Sequence, residues 1–141
     1  MLKGIDPSIS PELLHTLAAM GHGDQLVVAD RNFPAYATHE RVHRLDGVDA
    51  VSAARAVLSL VPLDTFVEAP VEHMAPDGHG DAVHAVHEEF LAAAREAAGW
   101  PVQTRAVERV DFYARARAAF AVLVTGERRP YGCFIVTKGV L

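Results

Sequence analysis

The chain has a single cysteine, Cys133, so no internal disulfide can form and packing alone must hold the fold. A reducing, cytoplasmic setting fits that usage. Long apolar runs are also missing, and none approaches the roughly 20 residues that cross a bilayer. The opening Met1-Leu2-Lys3-Gly4-Ile5-Asp6-Pro7 lacks the apolar stretch of a signal peptide. Concentrated positive charge is scarce. The net charge is −5 and the one dense cationic pair is Arg128-Arg129, which argues against a nucleic-acid partner. There is no phosphate-binding loop, no His-Glu-x-x-His and no Cys/His ligand set, so the eight histidines do not read as a metal centre. The expectation is a protein with no membrane, nucleic-acid or metal partner.

What is present is ordinary globular composition: 141 residues, 50% apolar and 22% charged, enough for one domain over 1–141. Ser10-Pro11-Glu12 starts a helix, with Ser10 as cap, Leu13, Leu14, Leu17 and Met20 on one face, and Gly21 fitting a left-handed stop. Gln25–Ala29 reads as a buried strand ending at Asp30, followed by a loop over 31–40. Val42–Leu45 reads as a short strand and Val48–Leu60 as a helix. Phe66–Met74 reads as a strand carrying Pro70, which puts it at a sheet edge or in a bulge, and Asp77-Gly78-His79-Gly80-Asp81 reads as a turn. Ala82–Ala98 is the longest helix, closed by Gly99 and Pro101. Val102–Val110 reads as a strand and Asp111–Ala119 as a helix capped by Asp111. Two strands, 120–124 and 134–136, flank the turn Gly126–Gly132. This alternation predicts a three-layer α/β/α fold with a mixed, mostly parallel sheet, in which the last two strands form an antiparallel pair.

The segment Met20-Gly21-His22-Gly23-Asp24 stands out. A histidine between two glycines has a permissive backbone and little cover. Imidazole donates and accepts protons near neutral pH, so the pattern suits proton transfer to a small molecule. Asp30 closes a strand in a mostly parallel sheet, where ligands gather at carboxyl ends. Other candidates are weaker singly. Arg109 and Phe112-Tyr113 sit at a strand-to-helix junction, and Tyr131-Gly132 permits close backbone approach. Cys133 reads as a small buried residue. His84 and His87 share a helix with Glu88, Glu89, Arg95 and Glu96 and read as solvent-facing.

Taken together, Leu2-Lys3, Ile9-Ser10-Pro11-Glu12-Leu13-Leu14, Met20-Gly21-His22-Gly23-Asp24, Asp30, Phe33-Pro34, Phe112-Tyr113, Phe120-Ala121, Thr125-Gly126-Glu127, Tyr131-Gly132 and Lys138-Gly139-Val140 resemble the ribose pyranase / fucose mutarotase family from end to end. The Phe-Tyr and Thr-Gly-Glu-Arg segments resemble the fucose branch more than the ribose branch. The resemblance implies a cofactor-free enzyme that interconverts the anomers of an unphosphorylated monosaccharide, L-fucose or alternatively D-ribose. It also implies a homo-oligomeric ring, typically a decamer, with each site between neighbouring subunits. It puts a proton-donor role on His22, sugar contact on Asp30 and Arg109, and a further contact on Tyr131 and Gly132, presented to the neighbour's pocket. The family usually has asparagine after Tyr-Gly. Here that position, which the resemblance also implies is substrate-binding, is Cys133, a weaker hydrogen-bonding group.

Mutarotation opens a cyclic hemiacetal: a proton leaves the anomeric hydroxyl, another reaches the ring oxygen, and the carbonyl rotates before the ring closes. On this reading His22 exchanges protons with the sugar, Asp30 fixes a hydroxyl or tunes His22, and Tyr113 or Tyr131 is the second proton-transfer group. The rivals are a metal-assisted sugar isomerase or hydrolase, a non-catalytic sugar-binding or transport-accessory protein, and an oligomeric scaffold without a ligand.

Overall fold

A computed structural model describes residues 1–79 and 82–141. The helices are α1 (Pro11–Ala19), α2 (Ala35–Thr38), α3 (Ala50–Leu58), α4 (Ala85–Ala98) and α5 (Arg109–Ala118). The strands are β1 (Gln25–Ala29), β2 (Val42–Leu45), β3 (Val71–Met74), β4 (Thr104–Val107), β5 (Ala121–Thr125) and β6 (Phe134–Thr137). They form one sheet in the order β2-β5-β1-β6-β3-β4. Only β6 runs against the rest, pairing antiparallel with both β1 and β3. The mixed, mostly parallel α/β sheet is therefore as expected. The last two strands do not pair with each other, because β1 lies between them. The segment from β5 to β6 must pass over the carboxyl end of β1, and it ties down there through Arg31 N donating to Glu127 O at 3.0 Å.

Strand alternation sends Leu26, Val28, Leu123 and Phe134 to one face, where they meet Leu13, Leu17, Val57 and Phe90 of α1, α3 and α4. Val27, Ala29, Val122 and Ile135 go to the other, against Phe112 and Ala116 of α5 and Ala35 of α2. Both sides of the sheet are covered, which is why β1, β5 and β6 read as unbroken apolar runs.

Several local expectations change. Ser10 caps α1 as read, accepting from Leu13 N at 3.1 Å, but the left-handed residue is Gly23 (φ 83°), not Gly21. Asp24 closes that turn, its carboxylate accepting from Gly21 N at 2.7 Å. The third strand begins at Val71, after Pro70, so Phe66 lies outside it, and it sits between β6 and β4 rather than at an edge, because the proline falls before the paired residues. Helix α5 begins at Arg109 with Glu108 in the cap position, so Asp111 lies inside its first turn and does not cap it. In the turn over 77–81, Gly80 and Asp81 lie outside the described residues.

Candidate functional site

Asp30 follows β1 directly and is 7% exposed. Its carboxylate accepts from Asn32 N at 2.9 Å and lies against the Cys133 thiol, whose sulfur takes the Asp30 N–H at 3.5 Å. Burial raises the Asp30 pKa, working against those hydrogen bonds. Burial also pushes the Cys133 thiol well up, and the neighbouring Asp30 charge adds to it, so this sulfur stays protonated. Around the two lies an open cleft of about 240 Å³, lined also by Phe33, Met74, Arg109, Tyr113 and Tyr131.

Each wall has a local cause. Tyr113 sits one turn into α5, its ring 5.6 Å from that of Phe33. Arg109, the first residue of α5, donates from Nε to both carboxylate oxygens of Asp77 at 3.0 Å, and that pairing raises its pKa. Tyr131 is the one non-glycine among the described residues with positive φ, 59°. Two hydrogen bonds and a following glycine hold it there. His87 Nε2 donates to its carbonyl at 2.8 Å, its hydroxyl accepts from Asp77 N at 3.2 Å, and Gly132 follows where a Cβ would stand 2.8 Å from Glu127 Cγ. Glu127 is 4% exposed and binds Arg128 N, Arg129 N and the Arg129 guanidinium. The Arg129 contact brings its pKa down to about 2.

This loop is supported from α4, on a face expected to be solvent-exposed. His87 is buried rather than solvent-facing: its ring lies 4.2 Å from that of His73, and its Nδ1 accepts the His84 N–H at 3.0 Å. That acceptor leaves Nε2 to carry the hydrogen given to Tyr131. Burial lowers the pKa of both histidines, His73 to about 4. The signal was available, since His87, Phe90 and Ala94 recur at the spacing of one helix face. Asp77 carried no such signal. No group of three His, Cys, Asp or Glu side chains among the described residues is placed to hold a metal ion. No helix of the described residues is long and apolar enough to cross a membrane.

The structure thus brings Asp30, Arg109, Tyr113, Tyr131, Gly132 and Cys133 to one end of the sheet. His22 is not with them. It precedes β1 while Asp30 follows it, and five residues at about 3.3 Å each put roughly 16 Å of strand between them. Within one chain Asp30 does not tune His22. The partner of His22 is Asp64, whose Oδ1 takes its Nε2 at 3.1 Å. The His22 side chain is 45% exposed, and the Phe66 ring lies 5.2 Å away. Phe66 is itself 75% exposed.

A sequence model of the RbsD/FucU transport protein family matches residues 3–141. The chain is 44% identical over 140 residues to a protein named L-fucose mutarotase in Actinobacillus pleuropneumoniae serotype 5b (strain L20), covering 99% of this chain and 97% of that one. Its fold is similar to the crystal structure of the fucose mutarotase from Streptococcus pneumoniae in complex with L-fucose (TM-score 0.91, 34% identity, 99% of each chain). Bacillus subtilis RbsD, solved with D-ribose, shares the fold at a TM-score of 0.72 and 22% identity, over 100% of this chain and 99% of that one. A match over nearly the whole length, to proteins of nearly equal length, shows that the chain belongs to the RbsD/FucU family.

Proposed function

We propose that this protein is a cofactor-free mutarotase that interconverts the α and β anomers of L-fucose in the cytoplasm. The observation that carries the reading is the Asp30 cleft, where a buried carboxylate, two phenols and a guanidinium face one open space. Such groups hold and deprotonate sugar hydroxyls. The full-length likeness to proteins named L-fucose mutarotase, closer than the likeness to the ribose-bound relative, favours fucose.

Among the described residues the cleft holds no imidazole, and it is smaller than the roughly 300 Å³ at which small-molecule pockets usually begin. The complete site forms between two copies in a homo-oligomeric ring, a decamer on the family pattern. One copy supplies Asp30, Arg109, Tyr113 and the Tyr131-Gly132-Cys133 turn, and a neighbour supplies His22. Asp30 and Arg109 orient hydroxyls. His22 gives a proton to the ring oxygen as the anomeric hydroxyl loses one to the hydroxyl of Tyr113 or Tyr131, which passes its own proton to the Asp30 carboxylate in the same cleft. The C–O bond then breaks, the open-chain aldehyde rotates about its C1–C2 bond, and the reverse transfers reclose the ring.

NMR exchange spectroscopy on L-fucose and D-ribose tests this. His22→Ala should slow fucose anomer exchange by about 10²-fold or more, the share that positioned acid–base groups supply. Undiminished exchange in that variant would sink the assignment. Saturable fucose binding with no acceleration by the wild type would make this a sugar-binding protein instead.

A further inference from the structure

We infer that Asp64 is the positioning residue of His22, holding its imidazole so that Nδ1 is the atom that exchanges a proton with the sugar; this rests on the mutarotase reading above.

Asp64 stands 42 residues from His22 in sequence, and its side chain is only 3% exposed. A carboxylate accepts and cannot donate, so the 3.1 Å contact requires the hydrogen on His22 Nε2. The same Oδ1 also accepts from Phe66 N at 3.0 Å, which fixes the carboxylate from a second side. Nδ1 has no hydrogen-bond partner among the described residues, and almost half of the side chain is open to solvent. The Phe66 ring lies tilted at 5.2 Å and bounds the imidazole on one side. A base oriented by a buried carboxylate and open at its other nitrogen is the arrangement that general acid–base sites use to fix tautomer and direction.

The backbone around the pair sets its spacing. Lys138 and Gly139 run between the His22 turn and the Asp64 segment and bind both. Gly23 N donates to Lys138 O at 2.8 Å, and Lys138 N donates to Asp24 O at 2.9 Å. On the other side Asp64 N donates to Thr137 O at 3.0 Å, and Gly139 N donates to Pro62 O at 2.8 Å. A Cβ on Gly139 would stand 2.6 Å from Leu63 O and 2.7 Å from Asp64 Cα, so only glycine lets the two segments close on each other. The Lys138-Gly139 pair therefore works as the spacer that sets the distance between His22 and Asp64. An imidazole placed for nothing more than solvent contact would need none of this.

Proton donation through Nδ1 balances without a further reagent. The imidazolium loses its Nδ1 proton to the ring oxygen as the C–O bond breaks, and regains one from the sugar on closure. The Nε2–H stays on Asp64 throughout and the negative carboxylate faces the ring while it is charged.

The test measures anomer exchange against fucose concentration for Asp64→Asn and Gly139→Ala, with melting curves as a check on folding. It also follows the His22 ring by 1H–15N NMR. Asp64→Asn keeps the shape and an acceptor for Phe66 N–H but removes the charge. The maximal exchange rate should fall about tenfold or more while half-saturation stays within about twofold. Gly139→Ala, which leaves both side chains intact, should lower the rate in the same way. Wild type should show a strongly hydrogen-bonded, slowly exchanging Nε2 proton, assigned by its loss in His22→Ala and lost also in Asp64→Ala. Should His22→Ala be inactive while Asp64→Asn and Gly139→Ala keep the wild-type rate, the positioning role fails and the mutarotase reading stands. A Nε2 proton unchanged in Asp64→Ala would overturn it equally. Full activity in His22→Ala would bring down the underlying reading instead.

Discussion

Asp30 is a carboxylate kept where a carboxylate is costly. Burial raises its pKa, and Glu127 adds a smaller repulsion. A group whose folded pKa exceeds its unfolded value favours the folded state below the unfolded value. That advantage is lost as pH rises through the folded one. At neutral pH the ionised Asp30 is therefore a net cost to folding. Asp30→Asn should melt no lower than wild type at pH 7, and its advantage should grow from acid to neutral pH. Fucose exchange should fall by about 10²-fold. Thermal melts from pH 4 to 8 check this, and a variant that melts clearly lower at pH 7 would contradict it. Stability given up at one residue for a role in the cleft is the usual mark of a functional position.

The connection from β5 to β6 shows how one element is built to hold one side chain. It must cross the end of β1, and Tyr131 in the left-handed region is its costly point. Glu127 pins the segment from beneath, and its carboxylate also accepts from Ala50 N at the start of α3 at 3.4 Å. Because Arg129 brings the folded pKa of Glu127 to about 2, its contribution is fully present above the unfolded carboxylate value. It fades as pH falls toward 2. Glu127→Gln should therefore melt well below wild type at pH 7, with the gap closing as the pH drops from about 4.5 to about 2. A gap that stayed constant over that range would show that the charge is not what holds the loop. The helix side of the same support was legible but misread. The acidic neighbours of His84 and His87 suggested a wet face, whereas the 3.6-residue period through His87, Phe90 and Ala94 marks a buried one. Charge on a helix says little about a given position until its phase is known.

For the molecule as a whole, the placement of His22 and Asp30 at opposite ends of β1 is what matters. Each end also carries exposed apolar side chains, Phe66 beside His22 and Val110 beside Arg109. If the site joins two copies, His22→Ala and Asp30→Asn damage different halves. Mixed after unfolding and refolding together, the two inactive variants should recover part of the wild-type exchange rate, because some interfaces combine two intact halves. Activity of the mixture no higher than that of either variant alone would rule out a shared site.

The sequence carried the strands' apolar runs, the caps at Ser10 and Gly99, the mostly parallel sheet and the identity of most cleft residues. These are local signals or residue types matched along the whole chain. It could not say that β1 would part the last two strands, nor that Asp64 and not Asp30 would meet His22. Both follow from strand order, which depends on how distant segments pack and leaves no periodic trace in the chain. The Gly-His-Gly turn was visible from the start as an exposed imidazole. Its direction and its partner were set only when β6 and Lys138-Gly139 came to lie between segments more than 40 residues apart.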